Sequence, residues 1–275
     1  MKNPQYRFVV AFENEAKCII TFYKLNFVKN NHNLFKCYKN KDNSIWLVVT
    51  GIGNINVAAG TIFLKMISTN DKGSIWINIG IAGHHNAHPG TIYNIKKIIN
   101  SLDKKEIYYT NAVINEEIEC AVAYNVISEE RIFKKNNYVY EMEALGFMKT
   151  VEKFCYRELI CVIKIISDNS NIIPYNYKVV SNIFIEKSLY KINKLLCRYS
   201  ELSKKIYNYE GNIIELIENR FHLTFSNREK LKKIMPKILV LVEKKIIISN
   251  IKNAKNLRNL INTFEKIISD TKLIV

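Results

Sequence analysis

Four runs of this sequence are apolar almost throughout: RFVVAF (7–12), SIWLVVTG (44–51), SIWINIG (74–80) and ELICVIKIIS (158–167). A strand with one face in water alternates apolar and polar residues; a run without alternation must be covered on both faces. Between the runs lie stretches of helical period. These are NEAKCIITFYKL (14–25), the segment after the glycine turn GIGNIN, and EALGFMKTVEKF (143–154). Buried strands that alternate with helices predict an α/β fold, a largely parallel sheet with helices on its faces. Three further strands are predicted in GTIYNIKKIIN (90–100), ECAVAYNVIS (119–128) and NYVYEM (137–142).

After Asp168 the pattern changes. NYKVVSNIFIEKSLYKINKLLCRYSELSKKI (176–206) reads as one long amphipathic helix or two shorter ones, with Gly211 as an interruption. The rest is helical and basic, and Pro236 is its only strong breaker. This predicts a domain over residues 1–206 and a basic helical appendage over 207–275. The 275 residues are 48% hydrophobic, enough for a sizeable core. The net charge is +16, from 41 basic and 25 acidic residues. Two readings of that charge stand side by side. Lysines spread along the chain fit compositional drift; the denser stretch from Arg228 to Lys245 fits a nucleic-acid partner. The cysteines at 18, 37, 120, 155, 161 and 197 form no CxxC pair and read as reduced thiols of a cytoplasmic protein. No apolar stretch is long enough to span a bilayer, so a soluble chain without a membrane partner is expected.

Open α/β sheets bind ligands at the carboxyl ends of their strands. The predicted strand ends carry Glu13-Asn14-Glu15, Gly51-Ile52-Gly53, Gly80-Ile81-Ala82-Gly83, Met142-Glu143 and Ser167-Asp168. The last two belong to one strand–helix–strand unit. Its right-handed crossover predicts parallel neighbouring strands, with Glu143 and Asp168 on the same edge. Taken singly, Glu15 and Glu143 also suit the first turn of a helix, and Asp168 a cap or turn. Taken together, they predict one acidic cleft with glycine turns.

IAGHHNAHPG (81–90) raises the question of a metal. His84 and His88 have a ligand spacing only on a helix, which Gly83, Pro89 and Gly90 oppose. No nearby cysteine or carboxylate completes a tetrahedral set. A turn is expected, with the backbone of Ala82 and Gly83 toward ligand, His84 touching it, His85 and His88 in solvent, and no metal.

Five motifs in this order carry a family resemblance: AFENEA (11–16), VVTGIGNINVAAG (48–60), INIGIAGH (77–84), YEMEALGF (140–147) and IKIISDNS (163–170). They resemble the purine nucleoside phosphorylase/uridine phosphorylase superfamily, especially its methylthioadenosine/S-adenosylhomocysteine nucleosidase branch, over roughly residues 7–205. The resemblance implies a three-layer αβα fold with a central mixed, largely parallel sheet; the C-terminal helices lie outside the pattern. It implies cleavage of the N-ribosidic bond of a purine nucleoside, without a cofactor, by a homo-oligomer, a dimer by preference. Asp168 would be the acid that protonates N7 of the base, oriented by Ser167. Glu143 would hold the ribose hydroxyls with Met142 packed on the sugar, and Glu15 would activate water. Gly51, Gly53, Ala82, Gly83 and His84 would contact substrate. The family's purine-stacking segment finds no match in residues 123–140, where Phe133 and Tyr124 are candidates. A phosphorylase needs donors for a dianion, usually arginine, and no arginine occurs between Arg7 and Arg131. Water is therefore the expected acceptor; a phosphate-dependent enzyme and an inactive nucleoside- or nucleic-acid-binding relative are the alternatives.

Overall fold

The apolar runs become the middle of one sheet. The structure, a computed structural model, describes residues 5–29, 34–68, 73–110, 113, 117–129, 133, 137–172 and 176–270. Residues 130–132 and 134–136 of the unmatched 123–140 segment, Arg131 among them, and residues 271–275 of the appendage lie outside that set. The chain divides into two compact units, Met1–Ser200 and Glu201–Val275.

The strands of the first unit are β1 (Tyr6–Val10), β2 (Asn26–Phe27), β3 (Lys36–Lys39), β4 (Ile45–Val49) and β5 (Ile75–His84), then β6 (Ile92–Asn100), β7 (Ile107–Tyr109), β8 (Glu119–Asn125), β9 (Tyr138–Glu141) and β10 (Ile160–Asn169). Its helices are α1 (Glu13–Tyr23), α2 (Asn54–Ile67) and α3 (Ala144–Val151), and α4 (Tyr177–Arg220) begins in it. The sheet order is β2-β3-β4-β1-β5-β9-β8-β6-β10, with β7 on β6 and a further pairing of β10 with β5. That last pairing closes β5, β9, β8, β6 and β10 into a ring, and β4, β1, β5 and β10 run parallel.

The side-chain alternation of β1 accounts for helices on both faces. Phe8 packs on Tyr23 of α1 with ring centroids 5.3 Å apart. Tyr6, on the same face, shares a 2.9 Å hydrogen bond with Ser200 of α4. Val9 points the other way, into a core with Val57 and Leu64 of α2 and Phe147 of α3. The result is three layers.

One expectation about topology fails. β9 and β10 are not parallel neighbours: β9 pairs with β8 and, antiparallel, with β5, while β10 pairs with β5 and β6. The two strands meet through β5, because ring closure inserts it between them. The strand that begins at Ile75 also runs on to His84, so Gly80, Ala82 and Gly83 are strand residues and not a loop.

The second unit contains the end of α4, then α5 (Phe225–Leu241), α6 (Lys244–Asn253) and α7 (Leu257–Asp270) around a core that includes Leu231, Met235, Ile238, Leu260 and Phe264. Gly211 does not interrupt α4, and Pro236 lies buried inside α5. A glycine in a helix costs about 1 kcal/mol relative to alanine, little in a helix of 44 residues. Pro236 gives up a backbone bond, which burial of its ring in the apolar core offsets. Much of the basic charge is answered locally: Arg228 pairs with Glu218, Lys230 with Glu265, Lys232 with Glu229 and Lys245 with Glu243, at 2.7–3.2 Å. No described helix is long and apolar enough to cross a membrane.

Helices α2 and α3 touch backbone to backbone at Gly146. A side-chain carbon there would stand 2.3 Å from the Asn54 carbonyl oxygen. The expected result of Gly146→Ala is a loss of about 1–3 kcal/mol in urea unfolding, the range for overpacking a filled site.

Candidate active site

β5 sets out the site along its length. Gly80 is in register with Lys164 of β10, and Gly83 with both Asp168 of β10 and Tyr140 of β9. The register of β10 slips between Ile166 and Asp168, which leaves Ser167 as an extra residue. Such a bulge re-aims side chains. A cavity opens over this region. Ala82, Gly83, Ser167 and Asp168 line it, together with Met142 and Glu143 at the end of β9. Residues from three separated segments of the chain therefore share one hollow.

Asp168 is buried next to Gly83. Ser167 Oγ stands within hydrogen-bonding distance of two acceptors, the Ala82 carbonyl oxygen at 3.2 Å and Asp168 Oδ1. A hydroxyl has one proton to give. Its donation to Asp168 Oδ1 favours the ionised carboxylate. Burial, with a smaller contribution from Glu129, holds the Asp168 carboxyl above the usual range despite Ser167. Phe133 packs directly over Gly83, where a side-chain carbon would meet its ring at 2.4 Å. Phe133 lines the cavity, whereas Tyr124 stacks on Tyr138 at 5.5 Å.

Beside the acid lies a buried cluster of charge that the sequence reading missed. Lys164 is fully buried, with Nζ 3.0 Å from Glu141 Oε2 and 3.5 Å from Glu143 Oε2. Glu141 also accepts from the backbone N–H groups of Glu143 and Ala144 at the start of α3, and from Asn125 Nδ2 at 2.7 Å. Asn125 is in turn bonded to Asn54 at the start of α2. Glu143 Oε1 accepts from the Gly53 N–H at 3.1 Å. Glu15 is 1% exposed and accepts three backbone N–H groups, those of Ala11, Phe12 and Ile81, at 2.9–3.1 Å. It does not line the cavity; it lies behind Phe12 and Ile81, against Gly80. Those N–H groups fill three of about four lone-pair sites on its carboxylate.

Burial pushes the Glu15 carboxyl up to about 7, with its N–H donors and Lys164 opposing and Glu143 assisting. Burial also raises Glu143, against the pull of Lys164. Lys164 itself is disfavoured as a cation by burial, but Glu141, Glu143 and Glu15 outweigh that and hold it above the ordinary lysine range. A signal for this cluster existed: a lysine in the middle of ICVIKII has to find a buried countercharge.

The remaining predicted contacts are arranged differently. Ile52, not Gly51 or Gly53, lines the cavity; the two glycines have φ of +87° and +91° and shape the turn. His84 does not line it. Its Nδ1 accepts the N–H groups of Asn86 and Ala87 at 3.1 and 2.9 Å, which confines its proton to Nε2, and its ring stacks on Tyr93. Burial lowers its proton affinity, helped by His85. His85 bonds Ser170 and His88 the Pro89 carbonyl, so the three imidazoles tie down a turn. Among the described residues no group of three or more His, Cys, Asp or Glu is placed to hold a metal ion.

Several solved structures share the architecture. The 5′-methylthioadenosine nucleosidase of Arabidopsis thaliana, in apo form, aligns with a TM-score of 0.57 at 13% identity, covering 71% of this chain and 97% of its own. An MTA/SAH nucleosidase gives 0.57 at 15% identity, over 72% and 97%. The futalosine hydrolase of Helicobacter pylori strain 26695 gives 0.51 at 14%, over 72% and 97%. The chain thus has the nucleoside phosphorylase/hydrolase fold. No protein-family model and no curated protein matches the sequence.

Removing the buried cation leaves carboxylates without their countercharge. Lys164→Met is expected to cost about 3–5 kcal/mol of stability in denaturant unfolding at neutral pH. An unchanged midpoint would contradict the cluster.

Proposed function

We propose that the chain hydrolyses the N-ribosidic bond of a purine nucleoside. The observation that carries this reading is the charge of the cavity wall. Glu129, Glu141, Glu143 and Asp168 line it, and the described lining residues include no lysine, arginine or histidine. Such a wall stabilises positive charge that develops on a ribosyl group and repels a phosphate dianion.

The purine lies in the cavity beside Phe133, with N7 toward Asp168. Glu143 accepts from the ribose hydroxyls, and Met142 packs on the sugar. Asp168 gives its proton to N7 as the C1′–N9 bond breaks, and the bond's electrons leave with the base. Water adds to C1′ and passes a proton, by way of one further water, to the remaining lone pair of Glu15 behind the cavity wall. The raised proton affinity of Asp168 suits an acid, and that of Glu15 suits a base near neutrality. Solvent then returns both groups to their starting states. The fold neighbours' named substrates, methylthioadenosine and S-adenosylhomocysteine, are the first candidates. All six cysteines are free thiols, which supports a reducing compartment, the cytoplasm.

A second copy of the chain is the partner we infer. Ile55, Ile62 and Met66 are exposed along α2, at a spacing that aligns them in one stripe, and Ile52 is exposed in the turn before the helix. Exposed apolar stripes of this kind mark association surfaces. Ile52, at the head of that helix, is part of the cavity wall, so a copy seated on the stripe and this turn would border the site. Ile62→Asp is expected to convert a dimer to monomer in sedimentation velocity; identical sedimentation of both proteins would refute the surface.

A nucleoside panel assayed by chromatography, with and without phosphate, tests the reaction. Free base is expected in phosphate-free buffer; strict phosphate dependence would overturn the hydrolytic reading. Asp168→Asn is expected to slow release by about 10²–10⁴-fold, the usual contribution of a general acid. A nucleoside already methylated at N7 has a leaving group that needs no proton, so the variant should largely spare its cleavage. Equal losses on both substrates would remove Asp168 from the acid's role.

A further inference from the structure

Glu15 has neighbours that the proposed reaction does not use. A side-chain carbon on Gly80 would stand 3.3 Å from Glu15 Oε1 and 3.5 Å from Lys164 Nζ, so only the bare glycine separates the two groups there. On its other side Lys164 is held by Glu141, which is anchored in turn by Asn125 and by two N–H groups of α3. The groups that face Glu15 are therefore Lys164 from β10, Glu143 from the β9–α3 turn, and the N–H groups of Ala11, Phe12 and Ile81. Cys18, one turn along α1, is a thiol whose ionisation burial suppresses. Glu13 on the same helix is turned outward to Lys36. Lys164 is the one cation in this set.

We propose that Glu141 and Lys164 are positioning residues for Glu15: their ion pair fixes how much of the Lys164 charge Glu15 feels, and so the pH at which Glu15 becomes a base. The proposal rests on the reading of Glu15 as the base of a nucleosidase. Charge interactions inside a protein act over several ångströms at low effective dielectric, so neutralising one member of a buried pair is felt by the next carboxylate. The Lys164 charge acts on Glu15 with Glu141 present, opposed by the negative charge of Glu141 beside it. With Glu141 made neutral and Lys164 still an ammonium, that opposing charge is gone, which favours ionised Glu15.

In the wild-type chain kcat should rise with pH on the acid side as Glu15 loses its proton, near 7. Glu141→Gln is expected to move that limb to lower pH by about one unit, a tenfold change in proton affinity. Asn125→Ala provides the control: it removes a neutral partner of Glu141 and should lower kcat without moving the limb. A ¹³C-carboxyl titration of Glu15 in the wild type and in Glu141→Gln reads the same shift without turnover, and keeps the test alive if that variant is slow. Wild-type release of base with loss in Glu15→Gln, together with a limb and a carboxyl titration unmoved by Glu141→Gln, would overturn the proposal and leave the nucleosidase reading intact. Absence of base release from every nucleoside would overturn the reading itself, and with it the proposal's premise.

Discussion

Three glutamates and one lysine are buried together at the cavity, Glu141 and Glu143 in its wall with Glu15 and Lys164 behind it, and the arrangement of the site follows from how they balance. A lone ammonium in an apolar sheet would be several kcal/mol out of place. Lys164 is tolerated there because Glu141 and Glu143 approach it from the end of β9 and Glu15 from the start of α1. Those carboxylates are kept in place by backbone N–H groups from β1, β5, the α2 turn and the first turn of α3. The cluster thereby ties four parts of the chain to one point. A network whose members are all satisfied confers rigidity that an apolar contact of the same size would not.

The second constraint is the bareness of β5. Gly80 leaves room for Glu15 and Lys164, and Gly83 for Phe133 and Asp168. Glycine weakens a strand, yet β5 is flanked along its length by β1, β9 and β10, which compensates. Conformational freedom is not the reason for glycine at these two positions, since neither has a positive φ. Close approach of other side chains is.

Much of the fold could be read in the sequence because burial on both faces leaves a plain mark. RFVVAF, SIWLVVTG, SIWINIG and ELICVIKIIS all became strands of the sheet's interior. The short strands β2, β3 and β7 left no such mark, being brief and partly exposed, at or next to the sheet's edges. Gly211 and Pro236 misled because local propensity was weighed without the core that overrides it. His84 shows a similar limit. Its place after a glycine suggested a ligand contact, but hydrogen bonds to Asn86 and Ala87 turn the ring into a cap for its own loop.

The sequence by itself determined that buried strands alternate with helices, that Glu15 and Glu143 follow strand ends and that Asp168 lies near the end of one, since periodicity and strand boundaries are local properties. Only the tertiary structure decided that β5 stands between β9 and β10, that Glu15 sits behind the cavity wall instead of on it, and that Lys164 and Glu141 complete the cluster. Strand order and countercharge pairing depend on contacts between residues far apart in the chain, and one sequence carries no record of which distant partner a buried charge will meet.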